Sequence, residues 1–152
     1  MKSKNGIQTN KKRGGFTLLE LIITVFVVSI LAMVALPAYQ DYVVRAEVAK
    51  DLGVINKAKT NVTEYYTLNG RLPNNNREAG FDDFSMANFK LFIGAMPNPG
   101  TIIVVYSVQE IPALDGWEIL NFVPTEVNGR LKWDCTRGGS MPNRYRPANC
   151  RR

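Results

Sequence analysis

Histidine is missing from all 152 residues, and cysteine occurs only twice. The missing imidazole removes histidine-based acid–base catalysis, catalytic triads and the usual zinc ligand sets. No G-x-x-x-x-G-K-[ST] loop is present to cradle nucleotide phosphates. Carboxylates are scattered rather than paired, so the chain reads as non-enzymatic, with no cofactor and no metal. Low complexity and internal repeats are absent too. With 45% hydrophobic and 21% charged residues, the composition is that of a folding chain with room for one domain and an appendage.

Acidic residues are missing from the first fifteen positions, where Lys2, Lys4, Lys11, Lys12 and Arg13 give +5. Residues 16–129 sum to −5, and Arg130 to Arg152 to +6. The overall charge of +6 is therefore a basic head, a mildly acidic body and a basic tail.

Charge is nearly absent from Phe16 to Leu36, where Glu20 is the single ionisable side chain in 21 residues. As an α-helix at about 1.5 Å per residue, such a run spans the roughly 30 Å hydrocarbon layer of a bilayer. Five cations precede it and a mixed-sign sequel follows, which places the amino terminus in the cytoplasm and exports the body. A removable secretory signal is the competing reading. The apolar run exceeds the usual length of about 7 to 15 residues, and Pro37-Ala38 stands where an A-x-A triplet would be.

Beyond Pro37 the pattern becomes amphipathic. Tyr39, Tyr42, Ala46, Ala49, Leu52, Ile55, Ala58, Val62 and Tyr65 form one stripe, with Asp41, Arg45, Glu47, Lys50, Asp51, Lys57 and Lys59 on the other faces. A helix is expected from about Phe16 to about Leu68, with bends at Pro37 and Gly53 and a stop at Asn69-Gly70. Asn61-Val62-Thr63, an N-x-T triplet, falls inside that helix and reads as structural.

Within the αβ-loop region, 69–99, Arg71 to Gly80 reads as a loop and the stretch to Pro99 carries mixed signals, with Phe89 to Ile93 a short strand candidate. Thr101 to Val108, Trp117 to Val123 and Arg130 to Cys135 are β-branched and aromatic runs separated by Asp115-Gly116 and Asn128-Gly129, so residues 100–135 predict an antiparallel sheet. The class is α+β: a long N-terminal helix with an apolar half projecting and an amphipathic half (38–68) packed on a small sheet.

Export to an oxidising compartment makes a disulfide between Cys135 and Cys150 the default, two unpaired thiols being the alternative. Closing a loop of about fifteen residues constrains the unfolded chain by roughly 3 kcal/mol. Glu20 needs more explanation. A carboxylate deep in a spanning helix costs about 2.5 to 3.5 kcal/mol on insertion scales. The run supplies no Lys or Arg, so either a cation comes from a cofactor, another chain or a newly made amino terminus, or Glu20 stays protonated.

Arg13-Gly14-Gly15-Phe16-Thr17-Leu18-Leu19-Glu20-Leu21 resembles the class III signal of type IV pilins. The likeness continues through Leu36-Pro37-Ala38-Tyr39-Gln40-Asp41-Tyr42 to Arg45-Ala46. Lys132-Trp133-Asp134-Cys135 and Pro147-Ala148-Asn149-Cys150 resemble the two ends of the pilin disulfide-bounded loop, 135–150. The resemblance implies a leader, 1–15, removed by prepilin peptidase between Gly15 and Phe16, and N-methylation of Phe16. It implies a filament-core helix at 16–37 and an exported head at 38–152. Glu20 would meet the new α-amino group of a neighbouring subunit, fixing register in a helical homopolymer. The mature chain would carry +1.

The implied life history starts in the inner membrane of a Gram-negative bacterium, passes through the pilus assembly machinery there, and ends in an extracellular fibre for adhesion, twitching motility and DNA uptake. Ser29 stands where many major pilins have glycine, and the fifteen-residue leader is longer than most of the Phe-starting subclass. Two alternatives are a type II secretion pseudopilin and a DNA-binding minor pilin. The second would use Arg137, Arg144, Arg146, Arg151 and Arg152, with Trp133 and Tyr145 interleaved. Against it stands an ordinary basic face, solvated or paired with the next subunit's acidic body.

Overall fold

The computed structural model describes residues 15–81, 84–85, 89–96, 98–109, 111, 114 and 116–152. The five leader cations, Gly14, and Asp115 of the expected Asp115-Gly116 turn lie outside the described residues. The chain divides into two compact units, Met1–Pro37 and Ala38–Arg152.

Helix α1, Leu18–Asn69, runs on through Pro37 and Gly53 without a break in helical assignment. In the first unit it starts with an N-cap: the Glu20 amide donates to Thr17 Oγ1 at 3.2 Å. Thr17-Leu18-Leu19-Glu20 has the spacing of a capping box, which satisfies an amide that the first turn would leave open. Every residue from Gly15 to Gln40 is exposed, Phe16 at 81%. Ser29 returns its hydroxyl to the Val25 carbonyl at 2.7 Å, which satisfies the hydroxyl within the helix.

In the second unit the helix covers an antiparallel sheet. Among the described residues, five strands lie in the order β1 (Phe84–Ser85), β2 (Lys90–Gly94), β3 (Thr101–Tyr106), β4 (Glu118–Val127) and β5 (Arg130–Asp134). Their register follows from burial. Leu91 pairs with Val104 and Ile93 with Ile102, while Val104 pairs with Leu120 and Ile102 with Phe122. All are buried, and a one-residue slip would turn each strand's apolar set to the opposite face. Asn128 and Gly129, with φ of 53° and 74°, make the tight turn between β4 and β5.

The strand candidate Phe89 to Ile93 is β2, Arg71 to Gly80 is irregular as expected, and the short β1 is an addition. Asn76 binds the β2 backbone, donating to the Leu91 carbonyl at 3.2 Å and accepting from the Ile93 amide. Two expectations change. The buried helix stripe is Val44, Val48, Asp51, Ile55, Ala58 and Val62. Tyr39, Tyr42, Ala46 and Ala49 are exposed, so in its first half the helix buries the apolar row next to the expected one. Asp51, expected on a solvated face, is 5% exposed. Asn61 keeps its structural role, donating to the Ala79 carbonyl at 3.2 Å.

Asp51 Oδ2 and the Tyr106 hydroxyl are both buried and interact with each other, short of a well-formed hydrogen bond. Desolvation first, then the charge of Glu47, pushes the Asp51 carboxyl up to about 6 from 3.8, with Lys50 opposing. Burial, with the Asp51 charge behind it, also raises the Tyr106 phenol. A carboxyl raised on folding favours the native state at low pH, and that contribution is lost as pH rises through about 6. Asp51→Asn is therefore expected to stabilise the chain at pH 7 by about 2 kcal/mol and to change little at pH 4. Chemical denaturation at the two pH values checks it; an equal effect at both contradicts it.

Candidate assembly segment and disulfide-bounded loop

The candidate assembly residues sit where the helix begins. Gly15, Phe16 and Thr17 precede it in irregular backbone, and Glu20 stands in its first turn, exposed. Among the described residues Glu20 forms no ion pair. The next cation along the chain is Arg45. A carboxylate near a helix N-terminus is favoured by the aligned peptide dipoles, which gives Glu20 a local role in addition to any partner outside the chain.

At the other end of the chain Cys135 and Cys150 are joined, with Cα atoms 4.8 Å apart. No strand crosses the loop between them, so its carbonyls need donors of another kind. Arg146 supplies them. Its guanidinium donates to the carbonyls of Met141 (2.7 Å), Cys135 (3.2 Å), Thr136 (3.5 Å), Gly138 (3.0 Å) and Gly139 (3.3 Å). The residue is only 2% exposed and makes no ion pair among the described residues, so five carbonyl dipoles surround its charge, with Glu118 adding a favourable charge farther off. Gly139 is needed for the same wrap: at φ +75°, an added Cβ would lie 2.2 Å from the Ile119 carbonyl oxygen.

Arg152 reinforces the cage, donating to Thr136 (2.7 Å) and Gly138 (3.1 Å). Tyr145, 4% exposed, ties the loop to the helix by donating its hydroxyl to Asp41 Oδ1 at 2.9 Å. Burial, then that bond, raises its phenol pKa. Arg144 lies over the Tyr145 ring at 4.8 Å, with Nε 3.9 Å from Asp41. Asp134 accepts from the Thr136 hydroxyl (2.7 Å) and amide (2.8 Å), which hold its carboxyl below the usual range. Arg137 stands 3.8 Å from the same carboxylate, 91% exposed.

Five arginines therefore do not make one nucleic-acid face. Arg146 is internal, a correction to its place in the candidate set, and Tyr145 is core rather than a stacking platform. Arg137, Arg144, Arg151 and Arg152 remain exposed. Charge counting assigns all five alike. The signal that separates Arg146 is its place inside a strand-free cysteine loop with unpaired carbonyls to satisfy.

Replacing Arg146 by Lys keeps the charge but reaches fewer carbonyls, and Gln also removes the charge. Both variants, with the disulfide intact, are expected to lose about 2 to 3 kcal/mol in chemical denaturation, because buried carbonyls are left open. A loss within error of zero would contradict the cage.

Comparisons with known proteins agree with this anatomy. Residues 44–151 match the pilin family (bacterial filament), and residues 10–36 match the prokaryotic N-terminal methylation motif. A fimbrial protein of Neisseria meningitidis serogroup B is 36% identical over 126 residues, covering 83% of this chain and 74% of the relative. The type IV major pilin protein PilE1 of Neisseria gonorrhoeae is 51% identical over 123 residues, 81% of this chain and 66% of the relative. Fimbrial protein EcpC of Eikenella corrodens is 30% identical over 139 residues, 90% of each. With the head and the front segment matched separately and in order, the chain belongs to the pilin family of bacterial filament proteins.

Proposed function

We propose that this chain is a structural subunit of a type IV pilus and that its only chemistry is assembly. One observation carries the reading: a 21-residue, predominantly apolar surface, Phe16 to Leu36, exposed along its whole length and carrying Glu20 as its single charge. Nothing in Ala38–Arg152 requires that surface, since the second unit has its own core of helix and sheet residues. Burying the apolar run calls for a lipid bilayer first and other copies of the chain afterwards.

Cleavage between Gly15 and Phe16 by prepilin peptidase removes the five cations and leaves an α-amino group, the site of N-methylation. On a neighbouring copy that group meets Glu20 in apolar surroundings. A buried pair of this kind adds little net stability, but an unpaired carboxylate is costly, so register is fixed by the penalty for every other position. The contact joins different surfaces of successive copies and so propagates as a helical fibre. Anchoring in the inner membrane, handling by the assembly machinery and display in an extracellular fibre for adhesion and motility follow. The family match and the closed cysteine loop favour this reading over a type II secretion pseudopilin. No geometric observation favours the DNA-binding alternative.

Glu20→Gln keeps shape and removes the charge. Cells expressing it, with processing intact, are expected to show at least a tenfold loss of sheared surface fibres. Mass spectrometry of wild-type fibres is expected to give a chain starting at Phe16 with one added methyl group. Normal fibre yield from the Gln variant, or fibres that retain residues 1–15, contradicts the proposal.

A further inference from the structure

Three arginines gather at the edge of the disulfide-bounded loop nearest the start of the second unit. Arg45 and Arg151 border a cavity of about 190 Å³ with Ala49, Tyr145, Pro147 and Ala148. Arg144 adjoins it through its stack on Tyr145. All three arginines are exposed. Arg45 spends Nε on the Asp41 carbonyl (3.2 Å) and Arg151 spends Nε on the Arg146 carbonyl (3.2 Å), so the terminal nitrogens of both guanidiniums carry no bond among the described residues.

Acidic groups do not cancel this cluster. Asp41 is engaged by the Tyr145 hydroxyl and offsets one cation at 3.9 Å. Glu47 is 3.6 Å from Lys50. Two positive charges remain in excess, above an apolar floor, where forked donors suit phosphate oxygens.

Covalent connection then says which phosphate is near. Arg144 touches Asp41, five residues after Leu36, and Arg45 is nine residues after it. At no more than about 3.6 Å per residue, even a fully extended chain holds the cluster within roughly 18 to 32 Å of the end of the apolar run. The polar headgroup layer begins where the hydrocarbon ends. We propose that Arg45, Arg144 and Arg151 form a docking surface for the headgroups of anionic phospholipids, holding the second unit against the bilayer before assembly. The inference rests on the reading that Phe16 to Leu36 is first embedded in a membrane. A basic residue at an anionic surface favours contact by about fivefold, so two net charges give on the order of 25-fold. That preference falls as salt rises.

The test uses the full chain in lipid nanodiscs, either phosphatidylcholine alone or an equal mixture with phosphatidylglycerol. Expected in the mixture are slower amide exchange at Asn143–Arg152 and several-fold retention of phosphatidylglycerol over phosphatidylcholine in native mass spectrometry. Both are lost in the triple variant R45Q/R144Q/R151Q. Both persist in R130Q/K132Q, which removes charge beside the β4–β5 turn. Denaturation with the disulfide intact verifies that each variant folds; wild-type exchange in the two discs carries the test if the triple variant does not. Chain that enters both discs with the same exchange in each overturns the proposal alone, as does equal loss in both variants. Failure to enter either disc sinks the membrane reading and the proposal with it. Slowing by duplex DNA or inorganic phosphate in phosphatidylcholine discs, without response to phosphatidylglycerol, overturns the lipid assignment in favour of that ligand.

Discussion

An apolar helical surface that the chain itself leaves uncovered sets the terms for everything else. From Phe16 to Leu36 the segment, helical from Leu18, exposes leucine, isoleucine, valine and phenylalanine, while Ala38–Arg152 has its own core. Exposed apolar area of that extent is stable only against lipid or against more of the same surface. In the proposed fibre Glu20 would make the second option selective, because a lone carboxylate in such a contact admits few registers.

Head construction follows a different logic. The sheet's apolar face is covered by one row of α1, and the loop beyond β5 has little apolar content of its own. Order there comes from a covalent closure, a buried guanidinium on five carbonyls, and a tyrosine bonded to Asp41. These devices fix backbone positions without strands, which leaves neighbouring arginines exposed. Arg146 and Arg151 lie five residues apart in one basic block, yet one is internal and the other at the surface.

Much of this was legible in the residue order. The near-absence of charge marks the front segment, β-branched and aromatic runs mark β3 to β5, and Asn128-Gly129 marks the turn between the last two. The row of α1 that meets the sheet was not legible over its first three turns. Tyr39, Tyr42, Ala46 and Ala49 form one apolar row, Val44 and Val48 the next, and periodicity cannot rank adjacent rows. Tertiary packing chose the second, which carries Asp51 into the core. Strand β2 was legible as a candidate, whereas the two-residue β1 was too short to signal itself, and nothing in the Asn- and Pro-rich stretch before them showed that Asn76 takes up backbone bonds to β2. Arg146 looked like its neighbours because residue type does not reveal where unpaired carbonyls converge.

The most direct measurement is a near-atomic map of fibres sheared from cells expressing this chain. The account requires Phe16 to Leu36 of successive copies to pack together along the fibre axis, with the amino group of Phe16 in one copy within hydrogen-bonding distance of Glu20 in another. A map in which that segment is absent or lies on the fibre surface, or in which Glu20 faces no amino group, would contradict it.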